Sequence, residues 1–161
     1  MASEDIGFPT GSHDEKELLL QWLDYLRGAV LRKVDGLDDG QARWTPDDKL
    51  LPLLGIVNHL TNVEWRWIDG GFAGAQVSRS EREFDPGNEV TIDAAVAAYR
   101  QRATDTNATI RSLDLTQPSA PGSWAKGRDL RWVVLHLINE TGRHAGHADA
   151  TRELLDGQTG E

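Results

Sequence analysis

Apolar residues recur every three or four positions in four long stretches of the chain, which is the period of an amphipathic helix. The first stretch begins near Ser12, which resembles the start of a capping box with Glu15, and it ends in the Asp- and Gly-rich residues 35–40. The second covers residues 52–69, with Pro52 suited to a first helical position. The Gly70-Gly71 pair is expected to end this second helix.

The third stretch begins at Thr91, a suitable N-cap, and the fourth runs from residue 130 to 155 before Gly157 ends it. Long polar loops join the second helix to the third and the third to the fourth. No segment shows the alternation of a strand. These patterns predict an all-α, up-and-down four-helix bundle, with one domain over residues 1–161 and an ordered core over about 12–157.

The fourth helix has polar residues on its apolar face. In the stretch INETGRHAGHADA, Glu140, His144 and His147 are four and three residues apart, so they share one side of a helix. An unpaired buried carboxylate costs several kcal/mol, roughly, so Glu140 needs a cation or a strong donor. Protonated imidazoles could supply the positive charge. A divalent metal could also supply it, because carboxylate and neutral imidazole both bind such metals. His59 on the second helix, near the apolar residues Ile56 and Val63, is a further possible ligand.

Ordinary structural roles remain open for these residues. A histidine on an apolar face is often a satisfied core residue, and a Glu followed by His four residues later is common as a surface ion pair. The zinc-protease pattern H-E-x-x-H and the Glu-x-x-His pairing of di-iron bundles are both absent from the sequence. Spacing alone therefore leaves two interpretations open: a metal site, or ordinary core packing and ion pairing of these residues.

Composition narrows the range of partners. The formal net charge of −9 disfavours nucleic acid and anionic membrane surfaces. The chain has no cysteine, so any thiol chemistry requires an external thiol. No segment reaches membrane-spanning length, and the first residues lack a secretory signal pattern, which predicts a cytoplasmic location.

Some residues outside the histidine face are candidates for ligand binding. Trp44 and Trp124 lie in connections, where an aromatic side chain more readily lines a pocket than packs in a core. Arg66 and Arg143 could bind an anionic group of a cofactor, although solvated salt bridges are the more ordinary role of such residues.

The segments LLGIVNHLTNVEWRWIDGGF and LRWVVLHLINETGRHAGHADATRELLDG resemble the DinB-like superfamily of four-helix-bundle metalloproteins. This group includes the YfiT-type bacillithiol transferases and the mycothiol-dependent maleylpyruvate isomerases, and the resemblance is closest to an actinobacterial-like branch. The common ending of the family, N-H-x-x-x-H-x-G-Q, aligns with NETGRHAGH. Glu140 then replaces the usual histidine, and His147 stands where glutamine is usual.

The resemblance implies that His59, Glu140 and His144 hold a divalent metal, zinc or alternatively nickel. It places His147 and His136 beside them, to orient ligands or move protons. Trp124 and Arg143, singled out above from their own positions, are the candidates for binding the cofactor. A His-Glu-His triad also serves the maleylpyruvate isomerase branch.

The implied function is a metal-dependent thiol S-transferase or thiol-cofactor-dependent isomerase. Its partners are a low-molecular-weight thiol such as mycothiol and a small electrophile, and a homodimer is possible. Two alternatives stay open: a non-catalytic metal- or small-ligand-binding stress-response protein, and a plain bundle whose polar face forms a dimer contact.

Overall fold

A computed structural model describes residues 7–159 of the protein. Its elements are α1 (Glu15–Arg32), α2 (Asp39–Arg43), α3 (Leu53–Glu64), a π-helical turn (Trp65–Asp69), α4 (Gly70–Phe72), α5 (Ile92–Ser112) and α6 (Leu130–Asp156). These residues form no strand, only an isolated β-bridge between Pro118 and Asp129. The predicted all-α four-helix bundle is confirmed, with α3, the π turn and α4 together forming its second long helix. No helix in this part of the chain is both long and apolar enough to cross a membrane. The single domain over residues 1–161 stays a prediction.

Asp14 begins α1. Its carboxylate accepts a hydrogen bond from the backbone N–H of Glu17, at 3.0 Å. The predicted capping box of Ser12 with Glu15 is therefore wrong, and the Ser12 hydroxyl instead accepts a hydrogen bond from the N–H of Asp14. A carboxylate caps better here because it also interacts favourably with the positive end of the helix dipole.

Side-chain caps also begin the later helices. Thr91 caps α5 as predicted, Asp129 caps α6, and Gly157 ends α6 in the left-handed conformation that the sequence predicts. The helix α2, which Asp38 caps in a reciprocal capping box, is too short for an apolar period to predict.

The second long helix does not stop at Gly70-Gly71, as the sequence predicts, but continues to Phe72. Side chains from distant parts of the chain pack directly on both glycines. A Cβ on Gly70 would lie 2.6 Å from a methyl group of Val77, and one on Gly71 would lie 2.9 Å from the Cβ of Ala125. The two glycines are therefore needed for packing, and the packing overrides their tendency to end a helix.

Contacts near the helix ends show how the bundle is ordered. Arg131 at the start of α6 forms an ion pair with Glu15 at the start of α1, so these two helices are parallel. Thr151 near the end of α6 donates a hydrogen bond to the carbonyl of Leu51, just before α3, so α3 and α6 are antiparallel.

The third long helix completes the order. Arg111 at the end of α5 pairs with Glu17 at the start of α1, so α5 is antiparallel to α1 and parallel to α3, on which it packs. The order of the long helices is up, down, down, up. The alternating up-and-down order expected from the sequence is therefore wrong, while the four-helix bundle itself is confirmed. Two consecutive parallel helices need a connection that returns along the bundle, and residues 73–91 form it.

Two apolar clusters fill the interior. One lies towards the beginning of α3 and the other towards its end, and α1, α5 and α6 contribute to both. Between them, Arg27 forms two hydrogen bonds with Glu64, at 2.8 and 2.7 Å, and both side chains are almost fully buried. The bundle therefore has a charged layer in its middle that ties α1 to the second helix.

Candidate metal centre

Three side chains from two helices converge between the apolar clusters. His59 comes from α3, and Glu140 and His144 come from adjacent turns of α6. The Oε1 atom of Glu140 lies 3.2 Å from Nε2 of His59 and 3.4 Å from Nε2 of His144. One ligand atom from each residue lies within 4.8 Å of the other two. The structure thus brings together the three residues that the resemblance implies as metal ligands.

The donor atoms suit a divalent metal in type and in spacing. Ligands about 2.1 Å from a tetrahedral zinc ion lie about 3.4 Å apart, close to the two distances that involve Glu140. Two imidazole nitrogens and one carboxylate leave at least one coordination position open, as in catalytic rather than structural zinc sites. The same donors also suit nickel, so the residues do not select between the two metals.

The fourth residue of the site, Glu83, lies in the returning segment between α4 and α5. Its Oε2 is 2.7 Å from Nδ1 of His59, and both side chains are buried. A carboxylate only accepts hydrogen bonds, so Nδ1 of His59 donates to Glu83. Nε2 faces Oε1 of Glu140 at 3.2 Å and is the nitrogen that remains for a metal. No pattern in the sequence identifies Glu83 as part of the site. Two weak signals could have indicated it: the aromatic Phe84 beside an acid in a polar loop, and Gly55 within an apolar helix.

Close packing holds Glu83 in place. A Cβ on Gly55 would lie 2.1 Å from the carbonyl oxygen of Phe84, so only glycine lets the returning segment rest on α3. The side chain of Asn58 donates a hydrogen bond to the carbonyl of Glu83. The ring of Phe84 stacks on His59 with the centroids 4.2 Å apart. The orientation of His59 is therefore fixed both by a hydrogen bond and by a stacked ring.

Arg66 neutralises Glu83 in the interior. Its guanidinium binds both carboxylate oxygens of Glu83, and only 3% of each side chain is exposed. The expectation that Arg66 forms a solvated salt bridge is wrong. The spacing accounts for the difference, because Arg66 follows His59 by seven residues and so lies near the same face of the second helix.

The protonation states favour metal binding at neutral pH. Burial lowers the pKa of His144 to about 4, and the neighbouring His59 acts in the same direction. Burial would raise the pKa of Glu140, but its hydrogen bond with His59 and the nearby His144 hold it below its ordinary value. At pH 7, His144 is thus neutral and Glu140 ionised, the states that bind a metal.

His147 lies outside the converging set. It is exposed, and its Nδ1 is 3.3 Å from Nδ1 of His144, the nitrogen that faces away from Glu140. It is placed to accept a hydrogen bond from His144 rather than to replace Glu140 as a ligand. Arg143 is exposed and, among the described residues, forms no ion pair with Glu140. Its predicted role in cofactor binding stays a prediction.

His136 lies one helical turn before Glu140, in an aromatic cluster. Its ring is 4.5 Å from that of Trp67 and 5.4 Å from that of Trp132, centroid to centroid. It is half-buried, and no hydrogen bond within residues 7–159 joins it to the three converging side chains. Burial lowers its pKa, so the ring is neutral at pH 7. A role in proton transfer stays a prediction.

The two connection tryptophans differ in their surroundings. Trp124 joins the same aromatic cluster through Trp67, at 6.5 Å, and the guanidinium of Arg66 lies 5.4 Å from its ring centroid. It also lines a cavity. Trp44 ends α2 and does not line this cavity. The structure therefore places Trp124, and not Trp44, at the cavity.

The two buried imidazoles of the centre do not lie at the surface of the chain. His144 is only 8% exposed and His59 only 3%, so their rings are covered within one chain. A subunit contact through the exposed part of this face of α6, such as His147, stays a prediction.

Comparison with known proteins supports the resemblance seen in the sequence. No match is found among curated proteins. The model of the family described as Mycothiol-S-transferase matches residues 18–157, which include all four long helices from the first turn of α1 onward and every side chain of the centre. The match spans most of the 161 residues. The chain belongs to the mycothiol S-transferase family, whose fold is the DinB-like four-helix bundle.

Proposed function

We propose that the protein is a metal-dependent thiol S-transferase that uses mycothiol as its thiol and a small electrophile as its second substrate. His59, Glu140 and His144 would hold the metal, which is zinc or nickel. The observation that carries the proposal is the convergence of these three side chains at spacings suited to one ion, in a chain of the mycothiol S-transferase family.

The chemistry that a divalent metal supplies here is Lewis acidity, which lowers the pKa of a thiol into the physiological range. The chain has no cysteine, so the thiol must come from the cofactor. In the transfer, the S–H bond of mycothiol breaks and the proton passes to a base. The sulfur lone pair forms the S–C bond, and the electrophile releases its leaving group with the electron pair.

The residues of the chain prepare this step. Glu83 accepts the Nδ1 hydrogen of His59, which leaves Nε2 as the nitrogen that would bind the metal. His147 is exposed beside His144 and is in a position to pass a proton to solvent. Within residues 7–159, His136 has no hydrogen bond to the centre, and its ring lies against the aromatic cluster of Trp67 and Trp132.

The test is made on protein purified without a histidine tag. Metal content is measured beside the transfer of mycothiol to a fluorogenic haloalkyl electrophile, before and after chelation. We expect about one metal ion per chain, loss of activity on chelation, and recovery when zinc or nickel is restored. The variants His59→Ala and Glu140→Ala should lose both metal and activity. His13→Ala and Glu153→Ala, which change exposed side chains of the same types, should retain both.

Two results would contradict the proposal in different ways. Equal transfer rates with and without metal would exclude metal-dependent thiol activation. Stoichiometric metal that both variants remove, with no transfer to any of a panel of electrophiles, would favour the non-catalytic metal-binding protein instead.

A further inference from the structure

The metal centre and the aromatic cluster lie along the same pair of helices. Trp67 follows His59 by eight residues on the second long helix. Its ring contacts those of His136 and Trp132, at 4.5 and 5.5 Å between centroids. These two residues precede Glu140 by four and eight positions on α6, so they share one face of that helix with it. The aromatic cluster is therefore the next layer of side chains beyond the centre, towards the beginning of α6.

Solvent reaches the centre from the side of Glu140. The side chain of Glu140 is 21% exposed, whereas those of His59 and His144 are at most 10% exposed. The ring of Phe84 covers the two imidazoles, with its centroid 4.2 Å from that of His59 and 5.6 Å from that of His144. A small molecule that reacts at the centre therefore has to approach over Glu140.

His136 joins this side of the centre to the cluster. It is half-buried and lies one turn before Glu140. Burial lowers the pKa of His136, and the carboxylate of Glu140 opposes this shift, which shows that the two groups are close in space. The ring of His136 stacks on that of Trp132, with the planes 15° apart and the centroids separated by 5.4 Å. A continuous line of side chains thus leads from Glu140 to Trp132.

Trp132 is the most exposed ring of the cluster. It is 42% exposed, although Trp67 and His136 contact it. The guanidinium of Arg128 lies 4.8 Å from its ring centroid. Leu135, three residues later on α6, is also exposed. Adjoining exposed apolar side chains often mark a binding surface, and aromatic rings with a few polar groups are the usual lining of small-molecule sites. The ring of Trp132 is therefore held in place but open to a ligand.

The chemistry of this surface suits a flat, electron-poor ring. The face of an indole is electron-rich, so it stacks favourably on an aromatic ring from which substituents withdraw electrons. Arg128 is exposed and donates one hydrogen bond to the carbonyl of Lys126. A guanidinium has five N–H donors and no acceptor, so it can also bind the oxygen of a nitro or carbonyl substituent. Such substituents make a carbon attached to the ring more reactive towards a thiolate.

We propose that Trp132, Trp67 and His136 bind the ring of an aromatic electrophile, with Arg128 at an acceptor substituent and the reacting carbon directed towards Glu140. The inference rests on the proposed function, because a thiol transfer requires an electrophile beside the centre. In the transfer, the thiol sulfur forms a bond to the carbon attached to the ring. The leaving group departs with its electron pair, and the thiol proton passes to a base.

The first experiment measures binding without reaction. The full chain, with no thiol added, is titrated by calorimetry with 4-nitrobenzyl alcohol, which has the ring and the nitro group but no good leaving group. We expect saturable binding with a dissociation constant below about 1 mM, ordinary for a ligand of this size. Trp132→Ala should weaken binding at least ~10-fold, the equivalent of one stacked aromatic contact. Trp132→Phe should retain most of the affinity, and both variants should keep the circular dichroism of the wild type.

Trp44→Ala is the matched control. Trp44 is 36% exposed, and no ring contact within residues 7–159 joins it to the cluster. The affinity for the probe should be unchanged in this variant. Equal losses in Trp44→Ala and Trp132→Ala would overturn the proposal. A loss in Trp124→Ala with none in Trp132→Ala would also overturn it, because the probe would then bind in the cavity that Trp124 lines.

The second experiment measures the selectivity of transfer. The substrates are 4-nitrobenzyl bromide and allyl bromide, which both carry the reacting carbon beside a π system, although only the first has a ring. Trp132→Ala should lower kcat/KM for 4-nitrobenzyl bromide by about 10-fold and leave that for allyl bromide unchanged. Equal losses with both substrates would assign Trp132 a structural role and overturn the proposal.

Failure of this proposal is distinguishable from failure of the proposed function. Metal-dependent transfer without saturable binding of 4-nitrobenzyl alcohol would overturn the aromatic site alone. Binding that depends on Trp132, with no transfer to either bromide, would contradict the transferase and support the aromatic site. If Trp132→Ala dissociates a dimer and leaves the affinity for the probe unchanged, the surface is a subunit contact and the proposal is overturned.

Discussion

The carboxylate of Glu83 lies 2.7 Å from Nδ1 of His59, although the two residues are 24 positions apart in the sequence. The contact depends on the order of the bundle. Because α3 and α5 run parallel, the chain must return along α3 before α5 can begin, and on this return it brings Glu83 to the far side of the His59 ring. The segment between α4 and α5, which reads in the sequence only as a polar loop, thus contributes Glu83 to the centre.

Removal of the Glu83 carboxylate should weaken metal binding. The Glu83→Gln side chain can still accept a hydrogen bond but no longer carries a charge, so we expect the metal dissociation constant to rise by about 10- to 100-fold. The measurement is competition with a chromophoric chelator at pH 7. Glu81→Gln changes an exposed carboxylate of the same segment and should leave the affinity unchanged. If Glu83→Gln binds the metal as tightly as the wild type does, the contact of Glu83 with His59 does not contribute to metal binding.

Gly55→Ala should disturb the centre without touching a ligand. The added methyl group would lie 2.1 Å from the carbonyl oxygen of Phe84, so the returning segment has to move away from α3 and take Glu83 with it. We expect a lower unfolding midpoint and weaker metal binding together. Gly146→Ala is the control, because a Cβ there meets nothing within 4 Å and alanine favours a helix by about 1 kcal/mol over glycine. A Gly55→Ala protein with wild-type metal affinity would contradict the positioning role of this contact.

The helical period places the three ligand residues in the interior, but it does not predict Glu83, the residue that orients His59. Glu140 and His144 lie one turn apart on α6, and His59 interrupts the apolar face of α3, so local patterns bring them to the interior. Glu83 is in an irregular segment, and its position depends on packing between distant residues, which no local pattern encodes. The resemblance to a known family supplied the assignment of the three ligands where spacing alone left two interpretations.

Two errors in the second helix have a common cause. Glycine usually ends a helix and arginine usually faces solvent, which led to a helix end at Gly70-Gly71 and a solvated Arg66. In the structure, tertiary packing overrides both tendencies: the glycines admit Val77 and Ala125, and Arg66 pairs with a buried carboxylate. Such reversals occur where the chain approaches itself closely, here around the cavity and the centre.

Protonation of His136 should be visible in the tryptophan emission of the chelated protein. Burial and the charge of Arg128 lower the pKa of His136, and Glu140 opposes them. The folded pKa is therefore below the ordinary value, so this residue's contribution to stability is complete above about pH 6.5 and is lost as the pH falls through the folded pKa. An imidazolium next to an indole quenches its fluorescence, so emission should decrease with a midpoint below pH 6.5.

The variant His136→Phe assigns the transition. It keeps an aromatic ring against Trp67 and Trp132 but cannot titrate, so the fluorescence step should disappear. His13→Phe, which changes an exposed histidine, should keep the step. A step of unchanged size and midpoint in His136→Phe would assign the transition to another group.

The buried pair of Arg27 and Glu64 should be the most sensitive charged contact for stability. Both side chains are at most 4% exposed, and Asp24 also bonds the Arg27 guanidinium. Burial alone would lower the pKa of Arg27, but the carboxylate of Glu64 holds it above its ordinary value. Glu64→Ala leaves a buried guanidinium without its main partner, which should cost about 3–5 kcal/mol in the free energy of unfolding.

A double variant distinguishes the cost of an unpaired charge from the loss of packing. Arg27→Met combined with Glu64→Leu removes both charges and keeps apolar volume, so it should recover much of the stability lost in Glu64→Ala. Urea unfolding followed by circular dichroism measures all three proteins. Glu15→Ala, which removes the exposed partner of Arg131, should leave the midpoint unchanged. If the double variant is less stable than Glu64→Ala alone, the ion pair itself, rather than the avoidance of an unpaired charge, stabilises the bundle between its two apolar clusters.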